Sequence, residues 1–206
     1  MKDLQRFLDE SSRDHNHLCP RQIIGVRLGL LGMLALQLEP NCGNKRLLVI
    51  VETDGCFVDG VSATTGCTVG HRTLRIEDYG KTAATFVDTK TGRAVRVAPN
   101  LGIRERAYEF SPGETRHYFA QLQAYQLMPD DGMFTVEAVN LNTPIAQIVS
   151  RPGTRVECDV CGEEIMNERE IHENGLVLCV TCAKGGYYTV GQSALVGFTV
   201  EQVALV

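Results

Sequence analysis

Four cysteines near the C-terminal end, Cys158, Cys161, Cys179 and Cys182, form two C-x-x-C pairs separated by 17 residues. Thiolates are soft ligands, and two tight turns that each offer a pair of them supply the corners of a closed tetrahedral zinc site. Gly162 follows the first pair, where such a turn often needs a backbone angle that glycine takes without strain. Buried free cysteines are common but need not arrive as two C-x-x-C pairs. Disulfides would suit a secreted chain, yet the opening residues MKDLQRFLDESS carry no apolar signal-peptide core. A thioredoxin-like redox pair expects a preceding strand and a helix that begins at the motif, a setting Cys158 lacks. The expectation is therefore a structural zinc.

A second group of metal-seeking residues lies near the start. His15, His17 and Cys19 alternate in HNHLCP, so an extended backbone would place them on one side. Cys19 immediately precedes Pro20 and an apolar helix pattern, and free N–H groups at a helix N-terminus favour a thiolate. Cys56 and Cys67 each lie in a glycine-bearing turn, with Asp54 or Asp59 available to orient a histidine. Together these residues would suit a second zinc or another transition metal. The plain alternative is a loop of solvated histidines. Lys81, with Arg72 and Arg75, could hold an anionic ligand, although charged loop faces are common. Cys42, in an apparent surface turn, reads as incidental. No phosphate loop, dinucleotide fingerprint or H-E-x-x-H is present.

These residues need elements to hold them. Residues 2–11 fit a short amphipathic helix, with Leu4, Phe7 and Leu8 on one side. Pro20 suits the first turn of a helix that runs to Leu38 with apolar residues on nearly all faces, so it should be central. Residues 46–52 read as a buried strand, and a short helix is expected near 58–64. Strands at 82–88 and 93–98 should form a hairpin around Thr89–Gly92. Ser111, Pro112 and Glu114 look like the cap, first-turn proline and capping-box acid of a helix to Leu127. Residues 133–139 read as a further strand. Pro144, Pro152 and Gly153 mark a boundary near 150–155. The expected fold is α+β, with helices packed on a mostly antiparallel sheet and a small C-terminal zinc module.

The 206 residues include 20 Lys and Arg against 25 Asp and Glu, a formal net charge of −5. That balance predicts a cytoplasmic protein with no general nucleic-acid signature. The longest uncharged apolar run, Leu28 to Leu38, is 11 residues, too short to span a bilayer. The final segment YYTVGQSALVGFTVEQVALV carries one charged side chain, Glu201, and should pack on the chain's own core or on a partner subunit.

Taken in order, HNHLCP at 15–20, DGCFVDG at 54–60, TGCTVGHRTL at 65–74 and DYGKTAATF at 78–86 resemble the FmdE family, named for a component of formylmethanofuran dehydrogenase. The resemblance covers residues 12–150, and several members of that family continue into a treble-clef zinc module. It implies a usually dimeric α+β domain, here 1–150, with a cavity lined by the histidine–cysteine segment and the later cysteine loop. A zinc module would follow at 151–190 and an apolar tail at 191–206. The resemblance maps His15, His17, Cys19 and Cys56 onto the family's ligand motifs, with Asp59, Cys67 and Lys81 at its cavity. Asn16 and Arg21 stand where the family commonly has glycine.

Three functions follow as expectations. The first is a homodimeric, metal-binding accessory or regulatory protein that handles a metal or a small-molecule cofactor, with the zinc module facing a protein partner. The second is a small zinc-dependent or thiol-dependent enzyme, in which Asp59 or Lys81 would assist proton transfer. The third is a nucleic-acid-binding regulator acting through the zinc module. Charge opposes the third, because between 155 and 186 only Arg155, Arg169 and Lys184 face seven carboxylates.

Overall fold

The structure, a computed structural model, describes residues 2–13, 17–40 and 45–189. Backbone contacts divide the chain into two units, Met1–Val149 and Ser150–Val206.

The first unit opens with helix α1, Lys2–Ser11. Its Phe7 and Leu8 are buried. Helix α2 runs from Pro20 to Leu36 and is apolar all round, as a central helix must be. Ile23, Val26, Leu28 and Met33 are fully buried, each worth about 1.5–3 kcal/mol relative to exposure. The helix stops where Gln37 turns left-handed and donates its N–H to the Leu34 carbonyl. Strand β1 is Leu47–Val51, helix α3 Cys56–Thr65 and strand β2 Leu74–Ile76. Then come β3 (Ala84–Asp88), β4 (Ala94–Pro99) and the short helix α4 (Ile103–Arg106), which continues as a 3-10 turn over Ala107–Phe110. Helix α5 (His117–Leu127), α6 (Asp130–Met133), β5 (Phe134–Val139) and α7 (Ile145–Val149) complete the unit.

The five strands form one mixed sheet in the order β2-β1-β3-β4-β5. Every pairing is antiparallel except β1 with β2, where Val49 lies opposite Leu74. The α+β reading with a mostly antiparallel sheet holds. β2 is not among the strands expected from the sequence, because a three-residue edge strand offers just Leu74 and Ile76 as apolar signal. Helix α2 packs against β3, β4 and β5. The opposite face carries a smaller cluster of Leu48, Val87 and Ala94, joined by Ile145 and Ile148 of α7.

The helix expected from Ser111 begins later, at His117. The Ser111 hydroxyl donates back to the Ala107 carbonyl at 2.8 Å, which ends the preceding 3-10 turn, and Gly113 takes φ +90°. Glu114 accepts from the backbone N–H of Arg116 instead of closing a capping box at Ser111. A serine–proline–acid pattern has thus served a turn between two helical segments.

The β3–β4 hairpin is tied by Asp88, which is buried and accepts two bonds from Arg46 at 2.9 and 2.8 Å. The Lys90 N–H and the Thr91 hydroxyl also donate to it. These donors, Arg46 foremost, hold the Asp88 carboxyl well below the usual range.

Helices α2 and α3 touch almost backbone to backbone. A Cβ on Gly25 would lie 2.2 Å from the Phe57 carbonyl oxygen, and one on Gly60 would lie 2.3 Å from that of Gln22. Further along, Gly29 faces Thr64. Residue numbers rise together on both helices, so they run parallel and their N-termini lie side by side.

The second unit is small. β6 (Arg155–Glu157) pairs with β7 (Glu164–Met166), β8 (Ile171–Glu173) pairs with β9 (Leu176–Leu178), and α8 (Val180–Lys184) follows. Among its described residues the buried apolar ones are Cys158, Ile165 and Leu178. A core of this size among the described residues calls for another source of stability, and a bound metal can supply it. The apolar segment from Val190 onward lies outside the described residues.

Two tests follow from this packing. Gly60→Ala must part α2 from α3 and should cost about 1–3 kcal/mol in urea unfolding. Gly70→Ala, where a Cβ meets nothing within 4 Å, should stay within about 0.5 kcal/mol. For Asp88, the depressed carboxyl contributes stability that is present above the unfolded value of about 3.9 and is lost as the pH falls through the folded value. The stability gap between wild type and Asp88→Asn should therefore be widest near neutrality and narrow below about pH 4.

Candidate metal centres

The parallel α2–α3 pair explains why two cysteines far apart in sequence meet. Cys19 is the N-cap of α2, in extended conformation, and Cys56 is the first residue of α3. Both are half-buried free thiols, and they are near enough for Cys56 to act on the ionisation of Cys19. Gln22 fixes the geometry from below. Its side-chain oxygen accepts from the Cys19 N–H at 2.8 Å while its amide donates to the Ser11 carbonyl at 2.7 Å. This buried glutamine ties the end of α1 to the start of α2.

Electrostatics at Cys19 run against the sequence expectation of a stabilised thiolate. Burial pushes the Cys19 thiol up, and the neighbouring Cys56 pushes it further in the same direction. Backbone N–H groups of Gln22 and Arg21 act the other way without prevailing. A cation placed beside Cys19 would reverse that upward shift.

Tyr118, on the first turn of α5, belongs to the same neighbourhood. Its hydroxyl donates to the Leu18 carbonyl at 3.3 Å. Burial, and then the charge of ionised Cys19 and Cys56, raise its pKa. Sequence reading missed it because nothing local marks a tyrosine that reaches the site from 100 residues away.

The other expected residues disperse. His17 is exposed on the lead-in to α2, and His15 lies outside the described residues, as does Cys42. Cys67 is buried in the main core, with its Sγ 3.6 Å from the Leu47 carbonyl oxygen. Asp59 lines a cleft of about 270 Å³ beside the end of α1, with Glu10, Arg13 and Ser62. Lys81 is exposed at a separate cleft of about 480 Å³. Arg72 and Arg75 donate to the Val149 and Ile148 carbonyls and so anchor α7.

The C-terminal quartet is compact. One sulfur from each of Cys158, Cys161, Cys179 and Cys182 lies within 4.8 Å of the others, the one such grouping of three or more metal-seeking side chains among the described residues. Cys161 Sγ and Cys179 Sγ are 3.9 Å apart. Zinc–sulfur bonds of about 2.3 Å in a tetrahedron put the sulfurs about 3.8 Å apart, so the spacing fits. Backbone N–H groups of Cys161 and Cys179 point at the Cys158 sulfur and hold its pKa down to about 6. Cys182 is pushed up to about 12, first by its contact with Cys179. Four thiolates this close are stable only around a cation, and these residues supply the whole of a structural zinc shell.

Comparison with known proteins agrees with this geometry. Residues 15–135 match the family model described as FmdE, Molybdenum formylmethanofuran dehydrogenase operon. The chain belongs to the FmdE family. Residues 151–188 match the prokaryotic dksA/traR C4-type zinc finger, which together with the cysteine quartet supports structural zinc in this unit. A curated relative from Archaeoglobus fulgidus, named a probable S-adenosyl-L-methionine-binding protein, is 30% identical over 96% of this chain. This chain spans 58% of that relative's length. The crystal structure of a tungsten formylmethanofuran dehydrogenase FmdE-like protein from Syntrophus aciditrophicus shares the fold, with a TM-score of 0.58 and 22% identity. It aligns with 90% of this chain and 95% of its own. Among the described residues no helix is long and apolar enough to cross a membrane.

Cys161→Ala should remove one zinc equivalent and open the second unit, since folding there is coupled to metal. Elemental analysis would report the lost zinc. Limited proteolysis should then cut first within residues 150–189 and leave the first unit intact.

Proposed function

We propose that this FmdE-family protein is a metal-handling accessory protein, whose first unit holds a transition metal or a metal-bearing ligand on Cys19 and Cys56. The observation that carries this reading is the meeting of the two thiols at the N-termini of parallel helices. Soft sulfur ligands suit zinc and other borderline or soft metals. A cation there would offset the repulsion between neighbouring thiolates. His17 lies two residues before Cys19, close enough in sequence to complete the ligand set, and His15 belongs to the same segment. Tyr118 would act from outside the ligand set, its hydroxyl bond to Leu18 steadying the segment that carries Cys19. Two protein sulfurs and one imidazole would leave the fourth position of a tetrahedral site to an exchangeable ligand, as delivery or sensing requires.

A second reading comes from the Archaeoglobus relative, whose name attributes S-adenosyl-L-methionine binding to it. Calorimetric titration of the full chain with that compound is the direct test, and an absence of heat would remove the reading.

Metal identity and stoichiometry, measured on protein purified without added metal, test the main proposal. Two equivalents per chain are expected, one of them exchangeable. Cys56→Ala and His17→Ala should each lower the exchangeable equivalent and leave the zinc of the second unit in place. A single equivalent, unchanged in both variants, would refute a metal centre on Cys19 and Cys56.

A further inference from the structure

The cleft of about 480 Å³ beside Lys81 is of ligand size and is lined by neither Cys19 nor Cys56. It lies along the end of β4 and the loop that leads into α4. Ile24, Ala98, Pro99 and Ile103 contribute apolar wall, and Leu101 stands fully exposed at the rim. Three cationic side chains line it, Lys81, Arg96 and Arg104, against the single carboxylate of Glu105. In a chain of net charge −5 this local excess of positive charge is against the trend.

The three cations differ in their commitments. Arg96 is held by two bonds to buried Glu52, at 2.6 and 2.7 Å, so its charge is matched and its position fixed. The side chains of Lys81 and Arg104 make no hydrogen bond or ion pair with the described residues. The fold therefore commits one guanidinium to structure and leaves an ammonium and a second guanidinium open to solvent around an apolar wall. Nearby, the Tyr125 hydroxyl is buried without a hydrogen-bond partner among the described residues. Burial is the main cause that pushes its pKa up to about 12, ahead of the opposed charges of Arg104 and Glu105.

We infer that this cleft binds a small organic anion, with a carboxylate or phosphate held by Lys81 and Arg104 and an apolar body lying against Ile24, Pro99 and Ile103. A desolvated apolar wall strengthens the pull of both cations on the head group. Arg104 can grip a planar oxyanion with two parallel bonds, whereas Lys81 acts as a point charge. The inference does not depend on any metal at Cys19 and Cys56.

Fluorescence titration of the full chain with anilinonaphthalene sulfonate, an aryl anion, tests it beside the neutral analogue phenylnaphthylamine. Wild type should bind the sulfonate saturably. Lys81→Ala with Arg104→Ala should weaken it about tenfold or more, because two charge-assisted contacts are lost. The neutral analogue should be unaffected. Both residues are exposed, and unchanged thermal unfolding of the double variant would show that the fold is intact. Benzoate and phenyl phosphate, added as competitors, would tell a carboxylate preference from a phosphate one. Equal sulfonate affinity in the double variant, equal loss of both probes, no saturable binding to wild type, or no displacement by either competitor would each overturn the proposal.

Discussion

The contact between α2 and α3 decides most of what the first unit can do. Gly25 and Gly60 bring two helix backbones closer than any side chain would permit. Because the helices run parallel, that approach also brings their N-termini together, and each N-terminus carries a cysteine. A larger residue at either glycine would widen the gap and separate the sulfurs. The same parallel run sets the sheet, since α3 is the crossover that returns the chain beside β1 as β2. One steric constraint thus links the chain topology to the one place among this unit's described residues where two thiols meet.

The cysteine quartet and the cysteine pair illustrate how much environment matters to one residue type. In the second unit, backbone N–H groups aim at sulfur, and Cys158 is held down to about 6 while Cys182 is pushed up to about 12. Four sulfurs within 4.8 Å of one another form a shell suited to a divalent cation. In the first unit, burial outweighs the helix N-termini and Cys19 is shifted upward. The quartet can close around an ion with four sulfurs. The pair offers two, and anything further must come from histidines on the lead-in or from a ligand.

The C-x-x-C spacing was legible in the sequence because both halves of the zinc site are local turns, and only one long-range step joins them. The central position of α2 was legible for a similar reason, since a helix apolar on every side has nowhere else to go. Less could be read where partners are distant. The tie from Tyr118 to Leu18 has no local pattern, and Gln22 looked like any polar helix residue. Cys67 shares a glycine-bearing turn with the family motif, yet its burial beneath Leu47 follows from the sheet and not from the turn. Ser111-Pro112 misled because a serine hydroxyl can close the preceding turn as readily as it opens the next helix.

Arg96 and Lys81 show why charge alone could not assign the cleft beside Lys81. Lys81 lies just ahead of β3 and Arg96 within β4, and the two carry the same charge. Packing separates them. Glu52 follows β1 and is buried, where an unpaired carboxylate would be costly, and Arg96 reaches across from β4 to neutralise it. Losing either partner would leave the other charged and poorly hydrated, so this pair is bound by the fold and is closed to ligands. Lys81 sits after the turn at Gly80, and its own N–H donates to the Glu52 carbonyl. The backbone bond fixes where the ammonium emerges while leaving the charge itself uncommitted. A cation whose place is set by its backbone and whose side chain has no internal duty is what a binding cleft requires, and only the packed structure tells it from its neighbour.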